Sequence, residues 1–149
     1  MKKQPILVSA CLLGVCCRYD GASKPNETVT KLRDRFVLIP ICPEVDGGLP
    51  TPRTPSEGVG DKVLMSDGTD VTNNFRLGAE MALERAKTFG CAAAVLKARS
   101  PSCGSNKIYD GTFSGTLTEG DGVCAALLKK NGIDVYTEDE IDNLLKKYT

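Results

Sequence analysis

Cysteine dominates the residues of this chain that could do chemistry. The 149 residues include seven Cys and no His, which removes the usual general base and every zinc site that depends on imidazole. An odd number of Cys cannot form a fully paired disulfide framework within one chain. Free thiols are therefore expected, and they are typical of proteins in a reducing cytoplasm.

Three of these cysteines each follow a short apolar run, and they are Cys11, Cys42 and Cys103. If the apolar runs are parallel strands, their carboxyl ends share one edge of a sheet, which is where open α/β sheets bind ligands. The three thiols are then expected to converge in one crevice. Glu44, two residues after Cys42, would share it.

Three thiolates without a histidine partner suit a [4Fe–4S] cubane in which one iron has no protein ligand. Such an iron is a Lewis acid with an affinity for sulfur. The spacing does not by itself decide for a cluster, because separated Cys side chains also pack as small apolar residues. Packing is the expected role of Cys91 and Cys124, whereas Cys16 and Cys17 are expected to flank the site.

Apolar runs and helical patterns alternate along the chain. The runs are 6–10, 36–41, 92–98 and 134–136, and the helical patterns are 27–35, 72–89, 121–131 and 138–148. Continuous hydrophobicity within a run is typical of parallel strands covered on both faces. The alternation predicts a single domain over residues 1–149, an α/β three-layer sandwich with a mainly parallel, Rossmann-like sheet and right-handed crossovers.

The helix predicted over 72–89 has the clearest boundaries. Its apolar residues recur at helical spacing, Thr72 is expected to cap its start, and Gly90 follows its end. Thr137 is the expected cap of the last helix. The segment 43–70 is rich in Gly and Pro and is predicted to be a long ordered loop, a feature that usually serves function in compact domains.

Composition argues against two classes of partner. Lys plus Arg and Asp plus Glu number 19 each, so no net field attracts a nucleic acid polymer or an anionic membrane. Aromatic residues make up 5% of the chain and Trp is absent, which disfavours a platform for stacking single-stranded bases. No apolar run approaches the ~20 residues of a membrane span. A small, weakly charged partner is expected.

Residues 8–11 look like a bacterial lipoprotein cleavage box. Only residues 4–7 separate Lys2 and Lys3 from the box, whereas a secretion signal needs an apolar region of roughly 7–15 residues. The expected location is therefore the cytoplasm.

Several motifs around the three cysteines resemble one family. They are Ser9-Ala10-Cys11-Leu12-Leu13-Gly14 with Cys17-Arg18-Tyr19-Asp20-Gly21, Cys42-Pro43-Glu44-Val45 with Gly47-Gly48-Leu49 and Pro52-Arg53, and Ser100-Pro101-Ser102-Cys103-Gly104-Ser105. In this order, and with Lys97, Tyr109-Asp110-Gly111 and Phe113, they resemble the thiouracil desulfidase family, formerly a domain of unknown function. The resemblance spans nearly the whole chain.

The resemblance implies a [4Fe–4S] cluster held by Cys11, Cys42 and Cys103, with the sulfur of a small thiolated substrate bound at the fourth iron. It also implies that a carboxylate and a serine assist, and these map to Glu44 and Ser100. A cluster in turn implies the iron–sulfur assembly machinery as a partner.

Three further polar residues are expected to contact the substrate. Ser102 is the nearest substitute for Ser100 as a hydrogen-bond donor. Arg18 and Arg53 would lower the pKa values of nearby thiols and hold an anionic substrate. With these residues, the resemblance implies the non-redox desulfuration of a compound such as thiouracil, in which Glu44 is expected to manage protons or orient water.

Two other functions stay open. The segment from Cys11 to Arg18 resembles the phosphate loop of small Cys-dependent phosphatases, although six residues separate the Cys from the Arg here, one more than in that loop. A metal or iron–sulfur binding module without catalysis would use the same thiols and close the site with a fourth ligand such as Cys17.

Overall fold

A computed structural model describes residues 3–148, so residues 1, 2 and 149 of the predicted domain lie outside the described residues. Within 3–148 the strands are β1 (Gln4–Ser9), β2 (Phe36–Ile41), β3 (Ser56–Val59), β4 (Lys62–Met65), β5 (Ala93–Leu96), β6 (Lys107–Tyr109), β7 (Leu117–Glu119) and β8 (Asp134–Thr137). The α-helices are α1 (Glu27–Thr30), α2 (Pro43–Asp46), α3 (Thr72–Phe89), α4 (Val123–Lys130) and α5 (Ile141–Tyr148). Short 3-10 helices cover Ala10–Leu13, Lys31–Asp34 and Glu138–Glu140.

The central sheet is parallel throughout, in the order β2-β1-β5-β8. Side chains alternate along β1, so that Leu7 enters one apolar cluster while Ile6 and Val8 enter another on the opposite face. Helices α3 and α4 complete the first cluster, and α1 and α5 complete the second. The predicted three-layer α/β sandwich with a parallel sheet is confirmed.

Helix α3 has the boundaries that were predicted, but a different residue occupies its N-cap position. Val71 occupies the cap position, and Thr72 is the first helical residue. The Asp70 carboxylate accepts hydrogen bonds from the Thr72 N–H and hydroxyl, at 2.9 and 2.6 Å. The Thr72 hydroxyl oxygen in turn accepts the Val63 N–H at 2.9 Å. Thr72 therefore ties α3 to β4, and the prediction that it caps the helix was wrong.

Two other helix boundaries follow the sequence pattern. Gly90 ends α3 in a left-handed conformation with φ 71°, which glycine adopts without steric cost. Thr137 accepts the Asp139 N–H, and the Glu140 carboxylate accepts the Thr137 N–H. This reciprocal pair is a capping box and confirms Thr137 as the cap.

The segment 43–70 contains more regular structure than predicted, because it holds α2 and the antiparallel hairpin β3–β4. A second antiparallel hairpin, β6–β7, follows Cys103. Each hairpin strand is three or four residues long, which is too short for alternating hydrophobicity to be recognised.

Two glycines allow α2 to pack directly on α3. A Cβ atom on Gly78 would overlap the carbonyl oxygen of Pro43, and one on Gly47 would overlap the carbonyl oxygen of Asn74. Pro43 begins α2 and follows Cys42 directly. The close approach of these helices therefore sets the position of Cys42 at the end of β2.

Sequence analysis found no apolar run long enough for a membrane span. Among the helices of residues 3–148, none has the length and apolar composition of such a span.

Gly78→Ala tests the contact between α2 and α3. Alanine normally stabilises a helix by about 1 kcal/mol relative to glycine, but here the added Cβ meets the Pro43 backbone. We expect the free energy of unfolding, measured in urea, to fall by about 1–3 kcal/mol because of overpacking. Gly58→Ala, where a Cβ meets open space, should change it by less than about 0.5 kcal/mol. Equal stability of Gly78→Ala and wild type would contradict the contact.

Candidate active site

A cavity of about 550 Å³ lies at the carboxyl edge of the sheet. Four cysteines line it: Cys11, Cys17, Cys42 and Cys103. Cys11 and Cys42 follow β1 and β2, which pair in parallel up to Ser9 opposite Ile41. Cys103 lies in the loop after β5, the neighbour of β1 on its other side. The topology therefore brings the three predicted ligands to one crevice.

Cys17 also belongs to this crevice. Its thiol is within hydrogen-bonding reach of the Cys11 and Cys42 thiols, and its carbonyl oxygen accepts the Cys42 thiol at 3.7 Å. The contact with Cys11, together with burial, raises the pKa of Cys17 to about 11. The contact with Cys17, together with burial, also raises the pKa of Cys42. These thiols are protonated at neutral pH, so a metal that binds them must displace protons.

The other three cysteines lie outside the cavity wall. Cys16 is exposed, whereas Cys91 and Cys124 are buried in the apolar cluster beneath α3 and α4. Cys124 is fully inaccessible to solvent. Cys91 and Cys124 therefore pack as small apolar side chains.

Glu44 and Arg53 form a buried ion pair in the cavity wall. The Glu44 carboxylate accepts the Arg53 Nε–H at 3.1 Å, and the two side chains are 16% and 2% exposed. Burial raises the pKa of Glu44, and the guanidinium opposes that rise. Glu44 is thus a carboxyl group with raised proton affinity and remaining access to the cavity, properties that suit a general acid or base.

Arg53 has most of its donors committed within the protein. Besides Glu44, its guanidinium donates to the carbonyl oxygens of Cys17 and Pro50, at 3.0 and 3.1 Å, and to the Thr51 hydroxyl at 3.1 Å. The substrate contact predicted for Arg53 therefore has few donors left to make it. In this structure Arg53 orients Glu44 and holds the Cys17 loop.

Ser100 lines the cavity and shapes the turn that carries Cys103. Its hydroxyl oxygen accepts the N–H groups of Ser102 and Cys103, at 3.1 and 3.0 Å. The hydroxyl hydrogen is not needed for these bonds, so Ser100 can still donate to a ligand.

Ser102 belongs to this turn but does not line the cavity. It is fully buried, and within residues 3–148 its hydroxyl has no oxygen or nitrogen partner. Burial raises the pKa of the Cys103 thiol to about 12, against a smaller lowering by the hydroxyls of Ser9 and Ser102. Its burial outside the cavity wall favours Ser100 as the serine that meets a substrate.

Ser9 is a site residue to which sequence analysis assigned no role. Its hydroxyl oxygen accepts the Lys97 N–H at 2.9 Å, and its hydroxyl reaches the Cys103 thiol. Ser9 thereby links the ends of β1 and β5 beside a predicted ligand. A buried serine at the end of a strand carries no periodic or spacing signal, so only the structure reveals this contact.

Two cations in the wall have different surroundings. The Lys97 ammonium pairs with Glu138 at 2.9 Å, and both side chains are largely buried. Arg18 also lines the cavity, is half-buried, and lies 5.9 Å from the centre of the Tyr19 ring. Arg18 is therefore better placed than Lys97 to meet an anionic group in the cavity.

The loop from Cys11 to Arg18 is not arranged as a phosphate cradle. Its N–H groups at Gly14, Val15, Cys17 and Arg18 all donate to main-chain carbonyl oxygens. A phosphate loop directs such N–H groups at the ligand. The phosphatase-like alternative therefore loses its structural support.

Comparisons with known proteins identify the family. A family model described as 2-thiouracil desulfurase matches residues 6–140. The chain belongs to the 2-thiouracil desulfurase family. The resemblance identified from the cysteine motifs is thereby confirmed, and the matched range contains every predicted site residue of this 2-thiouracil desulfurase family member.

Two similar proteins extend the family match to nearly the whole chain. The uncharacterized protein YbbK of Bacillus subtilis (strain 168) is 43% identical over 150 residues, which cover 94% of this chain and 99% of that protein. A solved structure named [4Fe-4S]-dependent thiouracil desulfidase TudS is 46% identical, covers 97% of each chain and superposes with a TM-score of 0.92.

In this member of the 2-thiouracil desulfurase family, two hairpins contribute residues to the cavity wall. The sequence alone gave these residues no role. Hairpin β3–β4 and its flanks contribute Pro55, Ser56, Glu57 and Ser66, and hairpin β6–β7 contributes Tyr109, Phe113 and Gly115. Phe113 has a left-handed backbone with φ 56°, which costs a non-glycine residue about 1–2 kcal/mol.

Arg53→Met tests the buried ion pair, because it leaves the Glu44 carboxylate without its cation. Breaking one side of a buried pair costs about 3–5 kcal/mol, so we expect a loss of about 3 kcal/mol in the urea unfolding free energy. Arg18→Met removes a cation from the same cavity and should cost less than about 0.5 kcal/mol. The double variant Arg53→Met, Glu44→Gln should recover part of the loss. If the losses of unfolding free energy in the two single variants simply added up in the double variant, the two side chains would not interact, and the ion pair would be contradicted.

Proposed function

We propose that this protein removes the sulfur of a small thiolated compound such as thiouracil at a [4Fe–4S] cluster, without net oxidation or reduction. Its membership of the 2-thiouracil desulfurase family and its 46% identity to a structure named as a [4Fe-4S]-dependent thiouracil desulfidase support an iron–sulfur desulfidase. One observation carries the finer proposal: three cysteines from three strand ends share a cavity wall with a buried carboxyl group.

The donors of this wall fit a cluster. Within residues 3–148, no three Cys, Asp or Glu side chains are grouped to hold a single metal ion. A cubane has a different requirement, because each of its thiolates binds a separate iron and the ligands therefore surround a space. Cys11, Cys42 and Cys103 are the proposed ligands. When bound, a cluster with three protein ligands supplies one open iron, a Lewis acid for the substrate sulfur.

Glu44 and Ser100 carry the remaining chemistry. Glu44 reaches the cavity from the first turn of α2, so it can orient a water molecule and take or return its proton. Ser100 keeps a hydroxyl hydrogen for the polar edge of a substrate. Arg53 holds the Glu44 carboxylate through its Nε–H, and Arg18 provides positive charge for a thiolate form of the substrate.

The substrate and cellular context follow from the same chemistry. A cavity of about 550 Å³ admits a small heterocycle and excludes a folded polymer. Loading of a cluster calls for the iron–sulfur assembly machinery as a partner. Seven free thiols favour a reducing compartment, so a location in the cytoplasm stays a prediction.

A closed binding module without catalysis is a second candidate. It is favoured by Cys17, whose thiol contacts those of Cys11 and Cys42. As a fourth ligand, Cys17 would leave no iron open to a substrate.

Single Ala substitutions distinguish the two candidates through the ligand set. After anaerobic reconstitution, the wild type should bind about four irons per chain. Changes at Cys11, Cys42 or Cys103 should each abolish stable loading, measured by iron and sulfide analysis, because three thiolates are the fewest that retain the cluster. The matched control is Cys124→Ala, which removes a buried thiol outside the wall and should load fully. Full loading of the Cys103 variant would refute this ligand set, and loss of loading in the Cys17 variant would favour the closed module.

Heavy-oxygen water tests the reaction type. Exchange of a thiocarbonyl for a carbonyl consumes one water and releases hydrogen sulfide, with no electrons transferred. The loaded protein and 2-thiouracil, incubated in ¹⁸O-water without a reductant, should give uracil with one heavy oxygen over several turnovers, as measured by mass spectrometry. Uracil incubated in the same way is the control for exchange of its own oxygens. A strict need for an electron donor would overturn the non-redox route.

In the same assay, Glu44→Gln should keep the iron content and lose roughly 10²–10⁴-fold in turnover, as expected for a general acid or base. Unchanged turnover would remove Glu44 from the mechanism.

A further inference from the structure

Aromatic residues contribute to the cavity wall as well as the four cysteines. The chain has four Tyr, four Phe and no Trp. Three of these eight aromatic residues line the cavity, and they are Tyr19, Tyr109 and Phe113. The proposed desulfidase chemistry uses none of them.

Phe113 has the most unusual position of the three. It lies in the loop between β6 and β7 with φ 56°, a backbone conformation that bulky side chains avoid. It is 37% exposed, so burial in the core does not compensate for this conformation. A strained residue in a cavity wall is the kind of outlier from which a functional role can be inferred.

Hydrogen bonds hold the Phe113 loop in place. The Glu57 carboxylate accepts the N–H groups of Gly111 and Phe113, at 2.9 and 3.3 Å. A Cβ on Gly111 would lie 2.6 Å from the Gly58 carbonyl oxygen, so the loop packs with its backbone against hairpin β3–β4. The backbone that carries the Phe113 ring is therefore held in place before a ligand arrives, which reduces the entropic cost of binding.

We propose that Phe113 determines specificity for a planar, conjugated heterocycle, whose flat face packs on the Phe113 ring while its sulfur points to the cysteine wall. This inference rests on the proposed function, and it adds that the protein recognises the flat ring of its substrate. Aromatic rings stack on heterocycles with little dependence on ring substituents. An acyclic thiocarbonyl compound such as thiourea offers too little flat surface for this contact. Glu57 is a positioning residue, because it acts through the Phe113 N–H.

Phe113→Leu keeps an apolar side chain and removes the aromatic face. The matched control is Phe89→Leu, since Phe89 is an exposed ring outside the cavity. In the loaded protein, Phe113→Leu should raise KM for 2-thiouracil about tenfold and leave kcat within about twofold, the pattern of lost uniform binding. The turnover of thiourea should be the same in Phe113→Leu as in the wild type. An unchanged KM, or an equal loss with thiourea, would overturn the inference.

Uracil binding separates this inference from the desulfidase proposal. Equilibrium dialysis of labelled uracil against the full chain, with and without iron loading, reports on ring recognition without any turnover. Affinity should fall about tenfold in Phe113→Leu, should fall similarly in Glu57→Ala, and should be kept in Phe89→Leu. Equal uracil affinity in Phe113→Leu and wild type would overturn the role of Phe113. Failure of the loaded wild type to desulfurate any thiouracil would instead refute the proposed function.

Phe113→Gly separates binding from folding. Glycine adopts the left-handed conformation without strain, so the melting temperature should stay the same or rise while uracil binding is lost. A melting temperature that fell together with binding would indicate a structural role for the ring and contradict the proposal.

Discussion

The parallel pairing of β2, β1 and β5 is the constraint on which the rest of the site depends. Cysteines 31 and 61 positions apart in sequence reach one cavity because their strands run in the same direction and end at the same edge. That pairing is held by apolar side chains on both faces of the sheet, with α3 and α4 on one side and α1 and α5 on the other. The thiols at this edge are continuous with the core, because Cys11 and Cys17 belong to the apolar cluster on one face of the sheet and Cys103 belongs to the cluster on the other.

A single buried cation connects the chemical groups of this edge. Arg53 neutralises Glu44 and binds the carbonyl oxygen of Cys17, so one guanidinium holds the carboxyl group of α2 and the loop after β1 in a fixed relation. Burial raises the proton affinity of Glu44, whereas Arg53 keeps the ionised form accessible. These opposing effects are what a proton-transferring carboxyl group requires, because both protonation states must be populated during turnover.

The two hairpins form a part of the wall that is physically different. They are short, lie outside the main sheet, and are fixed to each other by Glu57 and by close backbone packing at Gly111. The sheet edge thus supplies thiols and the hairpins supply aromatic and polar surface. This division places the thiols at the ends of strands of the central sheet and the aromatic residues on connecting segments, where sequence change is better tolerated.

The sequence by itself determined the layers of this protein, the location of its thiols and its family. Apolar runs identified the four central strands, helical spacing located α3, and the placement of Cys11, Cys42 and Cys103 after three runs predicted their convergence. Only the tertiary structure decided the partners of individual polar groups. Ser9 meets Lys97 across 88 positions of sequence, and Arg53 meets Cys17 across 36. Thr72 bonds to β4 instead of capping its helix, and Ser102 is buried without lining the cavity. Hydrophobic periodicity is a local property that one segment carries in itself, whereas a hydrogen bond between distant segments exists only once the fold has brought them together.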